Sequence, residues 1–181
     1  MRGRGAVWLG LVVATLVTAA PATAQGRLTP ETRAMLIETL EGDRELTLAM
    51  IDSMPSRLLR YRPTPDVRDF AQQIEHVGQT AAAVVARFAL DARPPALGDG
   101  ETALATKAGL RQLTDAAFDY CIRQARELPD SVLLLPTRLF GREIPRWRVF
   151  LYVHSHDLWT LGQVVPYFRM NGMAPPAFGA F

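Results

Sequence analysis

The sequence predicts an all-α protein, a four-helix bundle that follows an N-terminal export signal. Apolar residues recur at three- and four-residue spacing over four long segments, and no segment shows the convincing alternation of a half-buried strand. Stretches rich in proline and glycine separate these segments. Four long helices joined by mostly short connections pack as an up-and-down or once-crossed bundle.

The first 24 residues have the pattern of a signal peptide. Two arginines precede an apolar run over residues 6–20, and the small-x-small tripeptide that ends at Ala24 is a site that signal peptidase accepts. We therefore predict a signal peptide, residues 1–24, and one exported domain, residues 25–181, in the periplasm or secreted. An uncleaved anchor is the alternative, although a membrane span needs roughly 20 apolar residues. After cleavage we expect no membrane association.

The charge balance argues against nucleic acid as a partner. The whole chain has 20 basic and 18 acidic residues. Two of the basic residues, Arg2 and Arg4, belong to the predicted signal, so the remaining domain carries no net charge. It also lacks a basic stripe with interleaved aromatic residues. The single cysteine, Cys121, lies on the apolar face of its helix and is expected to be an unreactive core residue.

The first two helices have clear start signals. Thr29-Pro30 supplies a hydroxyl N-cap followed by proline at the first helical position, and this helix should run up to Pro55. An extended, proline-containing connector follows. Asp66 is the expected cap of the second helix, which should continue to about Asp91.

The third and fourth helices fill the second half of the chain. The third should run from about Glu101 to Leu128. Residues 131–144 are ambiguous, because an apolar run there is interrupted by proline and glycine. The fourth should start near Pro145 and end at Asn171-Gly172, with glycine as the C-cap.

Two histidines lie on different predicted helices and can face each other inside the bundle. His76 belongs to the second helix and His156 to the fourth, which is how helical bundles assemble metal sites. A third imidazole on the same face would have to follow His156 by one turn, and that position is Thr160. His154 points to the opposite side of the fourth helix and is expected to be a surface or packing residue.

Three segments resemble the DinB-like (DinB/YfiT) four-helix bundle family, a superfamily of metal-dependent enzymes. They are RLLRYRPTPDVRDFAQQIEHV, HDLWTLGQVVPYFRMNG and the trailing Pro175-Pro176. Members of the family typically hold a divalent metal with one histidine of the second helix and two of the fourth, in an HxxxHxGQ frame. The resemblance implies that His76 and His156 are metal ligands and that Thr160 replaces the third.

Two functions therefore remain open for the exported domain. The first is a degenerate site for a zinc- or nickel-like ion, with Gln163 as an auxiliary ligand and an unknown substrate. A threonine hydroxyl is a poor ligand for such ions, which prefer imidazole, thiolate or carboxylate. The second is a bundle without metal or catalysis that binds a small molecule or a partner. The resemblance also suggests a homodimer.

Overall fold

Helices make up most of the residues that the structure, a computed structural model, describes, which are residues 26–98 and 100–178. The predicted signal peptide, residues 1–24, lies outside these ranges. In chain order the main elements are α1 (Pro30–Ser53), α2 (Phe70–Val84), α3 (Gly100–Ala105), α4 (Lys107–Glu127), α5 (Asp130–Leu133), β1 (Pro136–Leu139), β2 (Arg142–Pro145) and α6 (Arg148–Arg169). A 3-10 turn (Ser56–Leu58) follows α1, and a π-helical turn (Val85–Ala89) continues α2 to just before its predicted end at about Asp91. None of the described helices is both long enough and apolar enough to cross a membrane.

The four long helices surround one hydrophobic core in the cyclic order α1, α4, α2, α6. The first two long helices in the chain, α1 and α2, therefore lie diagonally across the bundle from each other. So do the last two, α4 and α6. Of the two predicted arrangements, up-and-down and once-crossed, the first is wrong, because consecutive helices would then pack side by side. The observed order brings α2 and α6 into direct contact, and these are the helices that carry His76 and His156.

Three helix boundaries differ from the predicted ones because local hydrogen bonds decide them. The cap of α2 is Asp69 rather than Asp66: its carboxylate accepts from the Gln72 amide, and the Gln72 side chain accepts from the Asp69 amide. The predicted third helix is broken in two, because Thr106 caps α4 through the amide of Gly109. The start of α6 is Arg148, three residues after the predicted start.

A two-stranded antiparallel hairpin occupies the segment that the sequence left ambiguous, so the described residues include two short strands beside the predicted helices. Each strand has only four residues, too few for alternation to stand out. The strands meet at a turn formed by Phe140 and Gly141, both with positive φ. The backbone amides of Arg146 and Trp147 then bond to Leu135 and Leu133, which delays the start of α6.

Arg33 fastens the end of α4 to α1. Its guanidinium donates to the backbone oxygens of Ala125, Arg126 and Leu128 and to the carboxylate of Asp130. The last carbonyls of a helix have no partners within it, so a guanidinium from another helix satisfies groups that would otherwise need water. These contacts fix the junction between α4 and the hairpin.

Candidate functional site

His76 and His156 face each other across the contact between α2 and α6. Their ring centroids lie 5.1 Å apart and the ring planes are inclined by 66°. Both side chains are half-buried. The structure thus brings together the two imidazoles that the sequence analysis singled out.

Each imidazole is held by one neighbour at its Nδ1 atom. His76 Nδ1 lies 3.2 Å from the hydroxyl of Thr80, one turn further along α2. His156 Nδ1 lies 3.2 Å from Oδ1 of Asp157, which is fully buried. Because Nδ1 is engaged in both rings, Nε2 is the nitrogen that each ring can offer to a ligand.

The charge of Arg68 acts on both rings from the mouth of this cleft. Burial is the main reason that the pKa of His76 is lowered from its usual value, and repulsion by Arg68 and by His156 adds to it. The pKa of His156 is lowered by burial and then by Arg68. Both imidazoles are consequently neutral at pH 7, and the positive charge in the cleft is that of the guanidinium.

The donor set does not fit a tightly held divalent metal ion, which the family resemblance implies for this cleft. Thr160 is buried at the third position, where it offers only a neutral hydroxyl. Gln163 is exposed and its amide oxygen accepts from Gln73. Across the part of the chain that the structure describes, no group of three histidine, cysteine, aspartate or glutamate side chains could hold a metal ion.

Two open cavities border the cleft, and Arg68 lines both. One, of about 270 Å³, is also lined by His76, Gln72, Glu75 and Gln79. The other, of about 680 Å³, has a mixed lining of apolar and polar side chains, among them Val67, Asp66, Gln73, Gln163 and Tyr167. The Tyr167 hydroxyl donates to the backbone oxygen of Arg68 at 2.6 Å and so fixes this segment of the connector against α6.

A buried acid pair behind the histidines was missed by the sequence analysis. Asp43 and Asp157 are both fully buried, and Nδ1 of His154 lies 2.8 Å from the carboxylate of Asp43. Asp43 continues the apolar series of Leu36 and Leu40 on α1, so a polar residue at a core position was the available signal. His154 was expected to be a surface or packing residue, but it is the hydrogen-bonding partner of this acid.

Burial has a strong effect on both acids. It raises the pKa of Asp43 to about 6, even though His154 lowers it through its charge and its hydrogen bond. Burial also raises the pKa of Asp157 well above the usual value, and the negative charge of Asp43 contributes. Burial thus favours the protonated form of Asp157, and one of its oxygens has no hydrogen-bonding partner among the described residues.

An aromatic series connects the histidine pair with the hairpin. The ring of Tyr152 stacks on His156 at a centroid distance of 6.2 Å, and Phe140 lies 5.2 Å from Tyr152. Phe140 in turn lies 5.4 Å from Phe88. Aromatic rings thus connect His156 with the hairpin turn and with the segment that follows α2.

Comparisons with known proteins agree with this architecture. The fold is similar to the crystal structure, at 2.30 Å, of a DinB-like protein (YjoA) from Bacillus subtilis. Its TM-score is 0.61, at 15% identity over 80% of this chain and 96% of that chain. It is also similar to the 2.01 Å structure of a DinB-like protein from Bacillus cereus ATCC 10987. That TM-score is 0.57, at 20% identity over 80% of this chain and 95% of that chain.

Sequence comparison adds the family assignment. No match was found among curated proteins. At the identities of the two Bacillus proteins, structural similarity shows the fold alone. A model of the DinB superfamily, however, matches residues 8–164, which is most of the sequence. The chain therefore belongs to the DinB superfamily.

Proposed function

We propose that this protein is an exported DinB-like domain whose α2–α6 cleft binds a small anionic ligand without a tightly held metal ion. The DinB superfamily is generally metal-binding, but this cleft offers two imidazoles and a buried threonine. The observation that carries the proposal is the position of Arg68, whose charge lowers the pKa of both imidazoles.

The same charge repels a divalent cation and attracts an anion. A guanidinium forms charge-assisted hydrogen bonds with carboxylate and phosphate groups, which are about twice as strong as neutral ones. The carboxylate of Glu75 lines the same cavity and offsets part of the Arg68 charge, so neutral donors are needed as well. They are the side-chain amides of Gln72 and Gln79 and the Nε2 side of His76. A small polar anion would be held by these groups, and we assign no reaction step to them.

A weak two-histidine metal site is the second candidate. Two imidazoles that share one zinc ion would bring their ring centres to about 5 Å from each other, given Zn–N bonds of ~2.0 Å and a tetrahedral angle. The 5.1 Å between the centroids of His76 and His156 is compatible with that. In this candidate Gln163 and water would complete the coordination of a zinc- or nickel-like ion.

A pair of titrations separates the two candidates. With zinc or nickel as the titrant in calorimetry, we expect Thr160→His to bind at least about tenfold more tightly than wild type, since it restores a missing imidazole. Saturable binding of either metal by the wild-type protein, abolished in His76→Ala, would establish the two-histidine site instead and overturn the metal-free proposal.

Phosphate and acetate are the probes for the anion. We expect them to shift the imidazole proton resonances of His76 and His156 saturably in nuclear magnetic resonance spectra. Arg68→Gln should abolish the response. Arg123→Gln, an exposed arginine on α4, is the matched control and should retain it. A response that survives Arg68→Gln would contradict anion binding by this cleft.

Export and pairing are further parts of the proposal. We expect the protein in the extracytoplasmic fraction to begin at Gln25, as N-terminal sequencing would show. A cytoplasmic protein with an intact N-terminus would contradict this expectation. Formation of a homodimer stays a prediction, which small-angle scattering at micromolar concentration tests directly.

A further inference from the structure

The hairpin and the first two turns of α6 line a third open cavity, separate from the two that border the α2–α6 cleft. Its volume is about 480 Å³, within the range of small-molecule sites. One wall is apolar and consists of side chains from both strands and from α6. These side chains are Leu139, Phe140, Ile144, Leu151 and Tyr152.

The hairpin turn holds an aromatic ring at the rim of this cavity. Phe140 has a φ of 43° and Gly141 a φ of 87°, so both central residues of the turn are left-handed. That conformation is uncommon for a bulky side chain, whereas glycine adopts it readily. The Phe140 ring packs between Phe88 and Tyr152, yet 66% of the residue remains exposed. An exposed aromatic surface therefore faces the opening.

Two arginines supply positive charge at the same cavity. Arg142 on β2 and Arg148 at the start of α6 both line it and both are exposed. Neither forms an ion pair with any residue in the described ranges. The neighbouring Arg146, by contrast, bonds to the carboxylate of Asp91 at 3.1 Å and to the backbone oxygen of Ala89. The guanidiniums of Arg142 and Arg148 are therefore available to a ligand, whereas that of Arg146 stabilises the fold.

We propose that this cavity binds a small organic carboxylate with an apolar body, its acid group on Arg142 and Arg148 and its body against the aromatic wall. Two guanidiniums beside an apolar wall match such an amphipathic anion, because charge-assisted hydrogen bonds fix the acid group while burial of carbon stabilises the rest. The inference does not depend on the proposed function of the cleft, since it uses none of its donors.

Competition binding tests the proposal on the intact wild-type protein. The fluorescent anion 8-anilinonaphthalene-1-sulfonate is the reporter, and octanoate is the competitor. We expect one saturable reporter site per chain, and displacement by octanoate. Octanol has the same apolar body without the charge, and we expect it to displace the reporter at least about tenfold more weakly, the value of a charged hydrogen bond. Equal displacement by the two compounds would overturn recognition of the acid group.

Arginine variants locate the site. Arg142→Gln and Arg148→Gln should each weaken octanoate binding about tenfold. Arg138→Gln removes the same charge from the opposite face of the hairpin and should leave binding unchanged.

Retention of wild-type affinity in the Arg142→Gln/Arg148→Gln double variant, with an unchanged thermal midpoint, would refute the assignment. So would binding to phosphatidylglycerol vesicles without a saturable reporter site, which would indicate a membrane-docking hairpin instead. Arg68→Gln should leave octanoate binding intact, which separates this test from that of the cleft.

Discussion

Replacing Asp43 with asparagine should change the way that the stability of the protein depends on pH. Burial raises the pKa of Asp43 from 3.8 to about 6 in the folded state. A carboxyl with a raised folded pKa contributes stability that is fully present below the unfolded pKa and is lost as the pH rises through the folded one. The wild-type protein therefore becomes less stable as Asp43 ionises.

The magnitude follows from the size of the shift. One pKa unit corresponds to about 1.4 kcal/mol, so the shift of Asp43 corresponds to about 3 kcal/mol in total. Of this, about 2 to 3 kcal/mol falls between pH 4 and pH 7.5. Asparagine does not titrate. The free energy of unfolding of Asp43→Asn, relative to that of wild type, should therefore rise by this amount between pH 4 and pH 7.5. Removing the Asp43 charge also lowers the pKa of Asp157, which acts in the same direction.

Urea unfolding at a series of pH values, followed by circular dichroism, measures this difference. The quantity to plot is the free energy of unfolding of the variant minus that of wild type. Asp66→Asn is the control, because it replaces an exposed carboxyl, and its difference from wild type should stay constant with pH. A constant difference for Asp43→Asn would refute the reasoning, because it would mean that folding does not shift the pKa of this acid.

Four further predictions concern the cleft, two helix glycines and the buried cysteine. Arg68→Gln should raise the pKa of both cleft histidines, as measured by nuclear magnetic resonance titration; unchanged values would contradict a direct charge effect. Gly78→Ala should destabilise the protein by about 1–3 kcal/mol in urea unfolding, because the new Cβ would lie 2.9 Å from a Leu113 methyl group. Gly162→Ala meets open space and should stabilise by up to about 1 kcal/mol; equal effects of the two changes would argue against close packing of α2 on α4. Cys121 is fully buried with a raised pKa, so thiol reagents should modify it only after unfolding, and rapid labelling of the native protein would be inconsistent with the structure.

The sequence determined the helical class of this protein and the residues that face each other in the cleft. Helical periodicity is a local property, so the spacing of apolar residues sufficed to predict four long helices, among them those carrying His76 and His156. The N-cap at Thr29 was equally readable, because its hydrogen bond joins residues three apart, and it is confirmed. The hairpin could not be predicted from the sequence, because four residues per strand are too few to show an alternating pattern. Its formation also depends on contacts with α6.

Tertiary structure alone decided the electrostatics of the site and the order of the helices. Arg68 lies eight positions before His76 in sequence, and nothing in the sequence placed its charge near His156 on another helix. The pairing of Asp43 with His154 joins residues 111 positions apart. Burial and charge interactions depend on distance in space, so a pKa shift cannot be read from spacing along one helix. For the same reason, the sequence could not show which arginines near the hairpin are paired. Arg146 forms an ion pair with Asp91, whereas Arg142 and Arg148 line the hairpin cavity.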